Sequence, residues 1–169
     1  PRTEKGCILM LISPLMLGLH ALAATVWVGG MFFAYVILRP SVPGIDPPPE
    51  RLKLWDRVFG KFFNWVWLAV IILPLTGYLQ VFGDFGGFAG AGLHIHWMHG
   101  TGWLMILLFV YLYMKPYKLF KAAVAEQNWD VAKTNLERIR KIVAINLVLG
   151  LITVLLGSAG RLWVLNIDM

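Results

Sequence analysis

Cysteine is almost missing from this chain. Cys7 is the only one, so no internal disulfide can staple the fold, and the lone thiol reads as a passive interfacial residue. Charge is scarce too: 14% of the 169 residues are Asp, Glu, Lys or Arg, against about 25% in a soluble domain. Ser13, Ser41 and Ser158 have no acid–base pair near them, so no hydrolytic triad is legible. No P-loop and no G-x-G-x-x-G run occurs. The glycine-rich GDFGGFAGAG at 83–92 lacks a following lysine and reads as a flexible loop, not a phosphate cradle. No repeat of a few tens of residues is visible.

Long apolar blocks take up the space. Hydrophobic residues make up 59% of the chain, against about 45–50% in soluble domains, and the mean hydropathy is +0.70. Lipid is therefore the solvent to reason with. Every backbone N–H and C=O inside it must be paired within the chain, which leaves helices or a closed barrel, and these blocks are too long and continuous for barrel strands. Four spans are predicted, roughly 14–38, 62–82, 95–114 and 142–165, each near the ~20 residues a crossing needs. Ser13-Pro14 has the form of a helix start, with Ser as N-cap and Pro in the first turn. Arg39-Pro40 and Lys115-Pro116 read as helix ends, and Pro74 predicts a kink in span two. Gly29-Gly30 in span one invites close approach by another backbone. The chain begins at Pro1 rather than Met, and its first apolar run is too long for the ~7–15-residue core of a cleavable signal peptide.

The net charge of +6 could suggest nucleic acid, but its placement points elsewhere. Of fifteen Lys and Arg, five lie in 39–61 and seven in 115–141, between the spans. That is a topology signal and excludes a nucleic-acid footprint. It puts both segments on the cytoplasmic side and leaves the 83–95 loop and both termini outside, on the periplasmic side of a bacterial inner membrane. RLKLWDRVFGKFF is expected to enter span two along the membrane surface, and 115–141 to be an amphipathic, mostly helical connection. The expectation is an all-α, integral-membrane four-helix bundle, a single transmembrane domain over 1–169.

Three of the four histidines sit in AGLHIHWMHG, residues 91–100. The fourth, His20, follows Pro14 by six residues, about 9 Å into span one. His99 lies about 7 Å into span three from the same side, and Arg161 shares that layer in span four. Ionisable residues inside a span are costly and mark function by default. Two imidazoles at matched depth can ligate the iron of a haem b, with Arg161 and His96 near the propionates. The competing reading takes His94, His96 and His99, with Met98 nearby, as a copper site, since imidazole and thioether suit copper. The other methionines look like ordinary packing. Trp27, two turns after His20, fits either packing or stacking on a cofactor, and packing is the simpler expectation. In span four, Asn146, Gly150, Thr153, Gly157 and Gly160 form a small, polar stripe suited to close helix packing or to a flat ring. Trp97, Trp103 and Trp163 fit an outer aromatic belt.

LHALAATVWVGGMFFAYVILRP, together with RLKLWDRVFGKFFNWVW, GGFAGAGLHIHWMHG, KPYKLFKAAVAEQNWDVA and IRKIVAINLVLGLITVLLGSAGR, resembles the CopD family, the membrane domain of copper-resistance protein D. The resemblance runs over about 19–161 and is nearest to short, stand-alone bacterial members. It implies inner-membrane location and a link to copper. In outline the chain is also similar to small four-helix membrane cytochromes b and to membrane protoporphyrinogen oxidases. Three functions are expected to compete. One is a b-type cytochrome passing single electrons to or from quinone or another membrane redox protein, with haem b on His20 and His99. The second is a copper-binding or copper-transport protein using His94, His96 and His99. The third is an accessory subunit of a larger membrane complex, or a homodimer, with structural histidines.

Overall fold

The four apolar runs become four helical rods, each longer than the sequence predicts. The computed structural model describes the backbone of residues 4–167 and the side chains of residues 13–160. The rods are built from α1 (Glu4–Phe32), α2 (Pro48–Asp84), α3 (Leu93–Leu112), α4 (Lys118–Ala125) and α5 (Trp129–Ile167). Among the described residues there is no strand. Four segments, Ser13–Gly44, Pro48–Asp84, Leu93–Ala125 and Trp129–Gly160, are long and apolar enough to cross a membrane. Large apolar side chains such as Leu15, Ile71, Leu107 and Leu155 point outward. In water that surface would drive aggregation; in lipid it is the solvated face. The chain is a multi-pass membrane protein with an all-α four-helix bundle.

Several predicted boundaries move, for identifiable reasons. Helix α1 does not start at Ser13-Pro14: it runs from Glu4 with Pro14 inside it. Ser13 caps nothing. Its hydroxyl donates to Asp84 Oδ2 at 2.8 Å, tying α1 to the end of α2. The prolines at 40 and 116 do not stop their helices either. Phe33–Leu38 and Tyr113–Tyr117 are π-helical turns, the first closed by Arg39 N–H donating to Ala34 C=O. A wide i→i+5 turn suits a proline, which brings no N–H and whose ring would clash with the carbonyl four residues back in an α-turn. The first rod thus continues through Arg39–Ser41 to a short turn at Val42–Gly44, and the third through Pro116 into α4.

RLKLWDRVFGKFF is not a separate surface element. It is the first part of α2, a single helix of 37 residues, about 55 Å long at 1.5 Å per residue. The hydrocarbon layer is only about 30 Å thick, so α2 and the equally long α5 project beyond it at the end that carries the basic segments. There Trp55, Phe59, Phe120, Ala132, Leu136 and Ile139 are buried together. The 115–141 connection is helical, as expected from its sequence, with one sharp turn at 126–128. Gln127 takes φ 58° there, Asn128 N–H donates to Ala123 C=O at 2.8 Å, and the Asn128 side chain accepts from Val131 N–H.

Helix α1 lies along α2, α3 lies along α5, and α1 also meets α5. Between α2 and α3 stand aromatic rings. Phe59, Phe63 and Trp67 recur every four residues on α2 and meet Phe109, Tyr113 and Tyr117, with Phe63–Tyr117 at 4.8 Å, Trp67–Phe109 at 5.2 Å and Trp67–Tyr113 at 5.4 Å, all near edge-to-face. Trp27 joins this set against Phe109, so its role here is packing. Gly30 takes the ring of Phe62 rather than a backbone, and Gly29 faces open space.

The side chain of Phe120 is 0% exposed. Phe120→Ala should cost about 3–5 kcal/mol in chemical unfolding of the detergent-solubilised protein. Leu155→Ala, on a lipid-facing side chain 67% exposed, should cost far less. Equal effects would mean that the projecting end is not packed as described.

Candidate functional site

The end of the bundle opposite the basic segments is where the histidines lie, and it is loosely filled. On α3 no residue from Leu93 to Leu104 is buried, and on α5 none from Leu151 to Ala159. All three clustered histidines are inside α3, not in the loop before it. That loop turns on Gly86 and Gly87, whose φ values of 68° and 113° suit residues without a Cβ.

A helix sends residues three and four apart to one face and its neighbours elsewhere, and this disperses the cluster. His94 lies against α5: a Cβ on Gly160 would meet His94 Cβ at 2.5 Å. Its Nδ1 is buried without a hydrogen-bond partner among the described residues. His96 is exposed, and its Nδ1–H donates to Gly92 C=O at 3.2 Å. His99 sits among aromatic rings, with centroids 5.0 Å from Phe88, 5.5 Å from Tyr78 and 6.4 Å from Trp103. Trp103 in turn donates its indole N–H to Tyr78 Oη at 3.2 Å. Among the described residues no three His, Cys, Asp or Glu side chains gather into a metal-binding group.

His20 meets α2. Its Nδ1 is 2.8 Å from Thr76 Oγ1, and Gly77 leaves room for the ring, with an added Cβ only 3.4 Å from Cε1. The Thr76 hydroxyl also lies 2.7 Å from the Ile72 carbonyl, so it ties the His20 ring to the backbone of α2. Metal-ligating histidines are commonly oriented in this way by an oxygen behind the ring. His20 contacts α2 at Thr76 and His99 contacts it at Tyr78, two residues further along the same helix. The side chains of Arg161 and Trp163 lie outside the described residues, as does that of Cys7.

The small stripe on α5 serves close packing, and what it packs against is informative. Gly160 accommodates His94, Gly157 accommodates Met98, and Gly150 accommodates Met105 together with Val28. Between them Thr153 Oγ1 is 2.8 Å from Thr101 Oγ1, and Asn146 Nδ2 donates to Met105 C=O at 3.1 Å. One face of α3 therefore carries His94, Met98, Thr101 and Met105 in succession along the α5 seam. Met105, expected from the sequence to be ordinary packing, is a buried core residue, and its place in line with Met98 and His94 comes from the helix. The line's spacing of four, three and four was available in the sequence, as was Thr76, a hydroxyl near the kink proline of an apolar span.

These features define an integral-membrane bundle with a seam of imidazole and thioether groups at one end. A family model described as Copper resistance protein D (CopD) matches residues 56–159, more than half of the chain, and the chain belongs to that family. The matched region is narrower than the resemblance first suggested. It includes His94, Met98, Thr101 and Met105 with α5 as far as Ala159, and leaves out Gly160 and α1 with His20. An uncharacterized protein of Aquifex aeolicus (strain VF5) is 28% identical over 155 residues, covering 91% of this chain and 99% of that relative. No solved structure matches.

Thr76→Val leaves His20 Nδ1 facing a methyl group and should cost about 1–3 kcal/mol in the unfolding midpoint. Thr76→Ser should behave like the parent. An unchanged Thr76→Val protein would mean that the hydrogen bond does not hold the ring.

Proposed function

We propose that this chain is a stand-alone, copper-handling membrane protein that takes Cu(I) as its cargo along the α3–α5 seam, entering beside His94 and passing Met98 and Met105. The observation that carries the reading is the alignment of these three side chains on one face of α3, with His94 Nδ1 buried and, among the described residues, unpartnered at its outer end. Cu(I) is a soft ion that thioether and imidazole suit. These ligands are neutral, so each carries the ion only partly out of water. A succession of them suits an ion that must not be left bare in lipid, where an isolated charge is costly. The family description of the matched residues supports copper, and those residues include His94, Met98 and Met105. In this reading the basic segments face the cytoplasm of a bacterial cell, and the seam opens on the outside. His96 and His99 stand beside the entrance rather than in the path.

A second reading keeps haem b, with electron exchange to quinone or another redox protein. It rests on His20, an ionisable residue inside an apolar span whose ring is held by Thr76 at 2.8 Å. His20 would be one axial ligand, and the iron's chemistry would be one-electron transfer. The accessory-subunit reading has no observation of its own.

Cu(I) titration of the full chain in detergent, against a Cu(I)-selective chelator, tests the first reading. His94→Ala and Met98→Leu should each weaken binding by about tenfold or more, while His20→Ala leaves it unchanged. Absence of Cu(I) binding, or loss in His20→Ala alone, removes the seam as the path. An absorption spectrum of protein from haem-supplied cells, oxidised and then dithionite-reduced, separates the second reading. A Soret band lost in His20→Ala would favour haem over copper, and a featureless spectrum would sink it.

A further inference from the structure

At the opposite, basic end two guanidinium groups are held without a carboxylate. Arg39 lies over the ring of Tyr35 with its central carbon 4.8 Å from the centroid, and Arg140 lies over Trp55 at 5.4 Å. Both line one crevice between α2, α5 and the π turn that follows α1, whose other walls include Ala34, Phe59, Phe62 and Val143. Arg140 Nε is buried with no hydrogen-bond partner. The ion pairs among the described residues are Arg51–Asp46 and Lys53–Glu50. Neither Arg39 nor Arg140 has an acid within 4.0 Å there, although Glu137 precedes Arg140 by three residues.

We propose that Arg39 and Arg140 bind the phosphate of an anionic phospholipid at the surface of the membrane. Two like charges on one crevice repel, and burial of an unpaired donor is costly. An anion between them answers both. The planar fork of arginine matches two phosphate oxygens at once, and stacking on Tyr35 and Trp55 fixes the forks in advance. Arg39 follows directly on the apolar part of the first rod, at the level where hydrocarbon gives way to headgroups. Basic pockets between membrane helices on the cytoplasmic side are a known physical route to anionic headgroup recognition.

Native mass spectrometry of the full chain in a non-ionic detergent, with equimolar phosphatidylglycerol and phosphatidylcholine, reads the preference directly. The parent protein should retain one phosphatidylglycerol over phosphatidylcholine by about tenfold. The Arg39→Gln/Arg140→Gln double variant should fall to near parity. Arg39→Lys/Arg140→Lys, which keeps charge but loses the forks, should fall between. Lys118→Gln/Lys121→Gln removes as much charge from the neighbouring surface and should change nothing. Should the double glutamine variant not fold, Arg39→Gln alone, at an exposed position, should lower the preference several-fold. Parity in the parent overturns the proposal, and so does equal loss in the lysine control, which would mean diffuse attraction. Displacement of the lipid by millimolar inorganic phosphate overturns it in favour of a soluble-anion site.

Discussion

The edge-to-face interlock of rings between α2 and α3 is the interaction on which the rest of this bundle depends. Helices in lipid gain little from burying apolar surface against one another, because the tails outside are as apolar as the side chains inside. What remains is close contact and geometry, and aromatic pairs supply both. Phe59, Phe63 and Trp67 present rings at every turn of α2, and Phe109, Tyr113 and Tyr117 return them at every turn of the third rod. The rings are wide, so α2 and α3 stay apart while α1 with α2, and α3 with α5, come close. The bundle is thus two tight pairs separated by a layer of rings, not four equivalent helices.

That arrangement makes the two ends unlike. At the basic end the rods project beyond the membrane and close over Phe120 and Ile139, so the core is dense there. At the histidine end a second group of rings, Tyr78, Phe88 and Trp103, surrounds His99, and small residues line the α5 side. Glycine at 150, 157 and 160 lets α5 lie against methionine and histidine side chains that a larger residue would displace. Soft, polarizable groups in a loosely filled region can shift rotamer without disturbing the rings below. The division of labour follows from where each residue type falls: rings hold the pairs together, and glycine with thioether gives an adaptable seam.

Much of the fold was legible in the sequence because hydropathy and charge act over long windows. Four spans, two basic connections and the helical nature of 115–141 follow from them. The ends were not legible, since Pro14, Pro40 and Pro116 are ordinary stop or start signals and a wide turn that absorbs a proline leaves no distinct local mark. The site was half legible. Ionisable residues in apolar runs drew attention to His20, His94, His96 and His99, but depth along a helix does not give the direction in which a side chain points. Depth depends on rise per residue and direction on rotation, and an error of two residues in a helix end turns a side chain by about 200°. Met98 stood out beside the histidines, while Met105, a core residue, joins their line only once the helix sets its phase.

The π turn at Phe33–Leu38 carries a consequence of its own. A wide turn of this kind holds one residue more than the α-helix would, and each residue contributes about 100° of rotation. Everything beyond it is dialled round the rod by that amount relative to α1. Arg39 owes its place beside Arg140 to this offset. Shortening the turn by one residue would leave the span apolar and helical while swinging the guanidinium to another side of the bundle, so the length of this turn acts as an address for the charge that follows it.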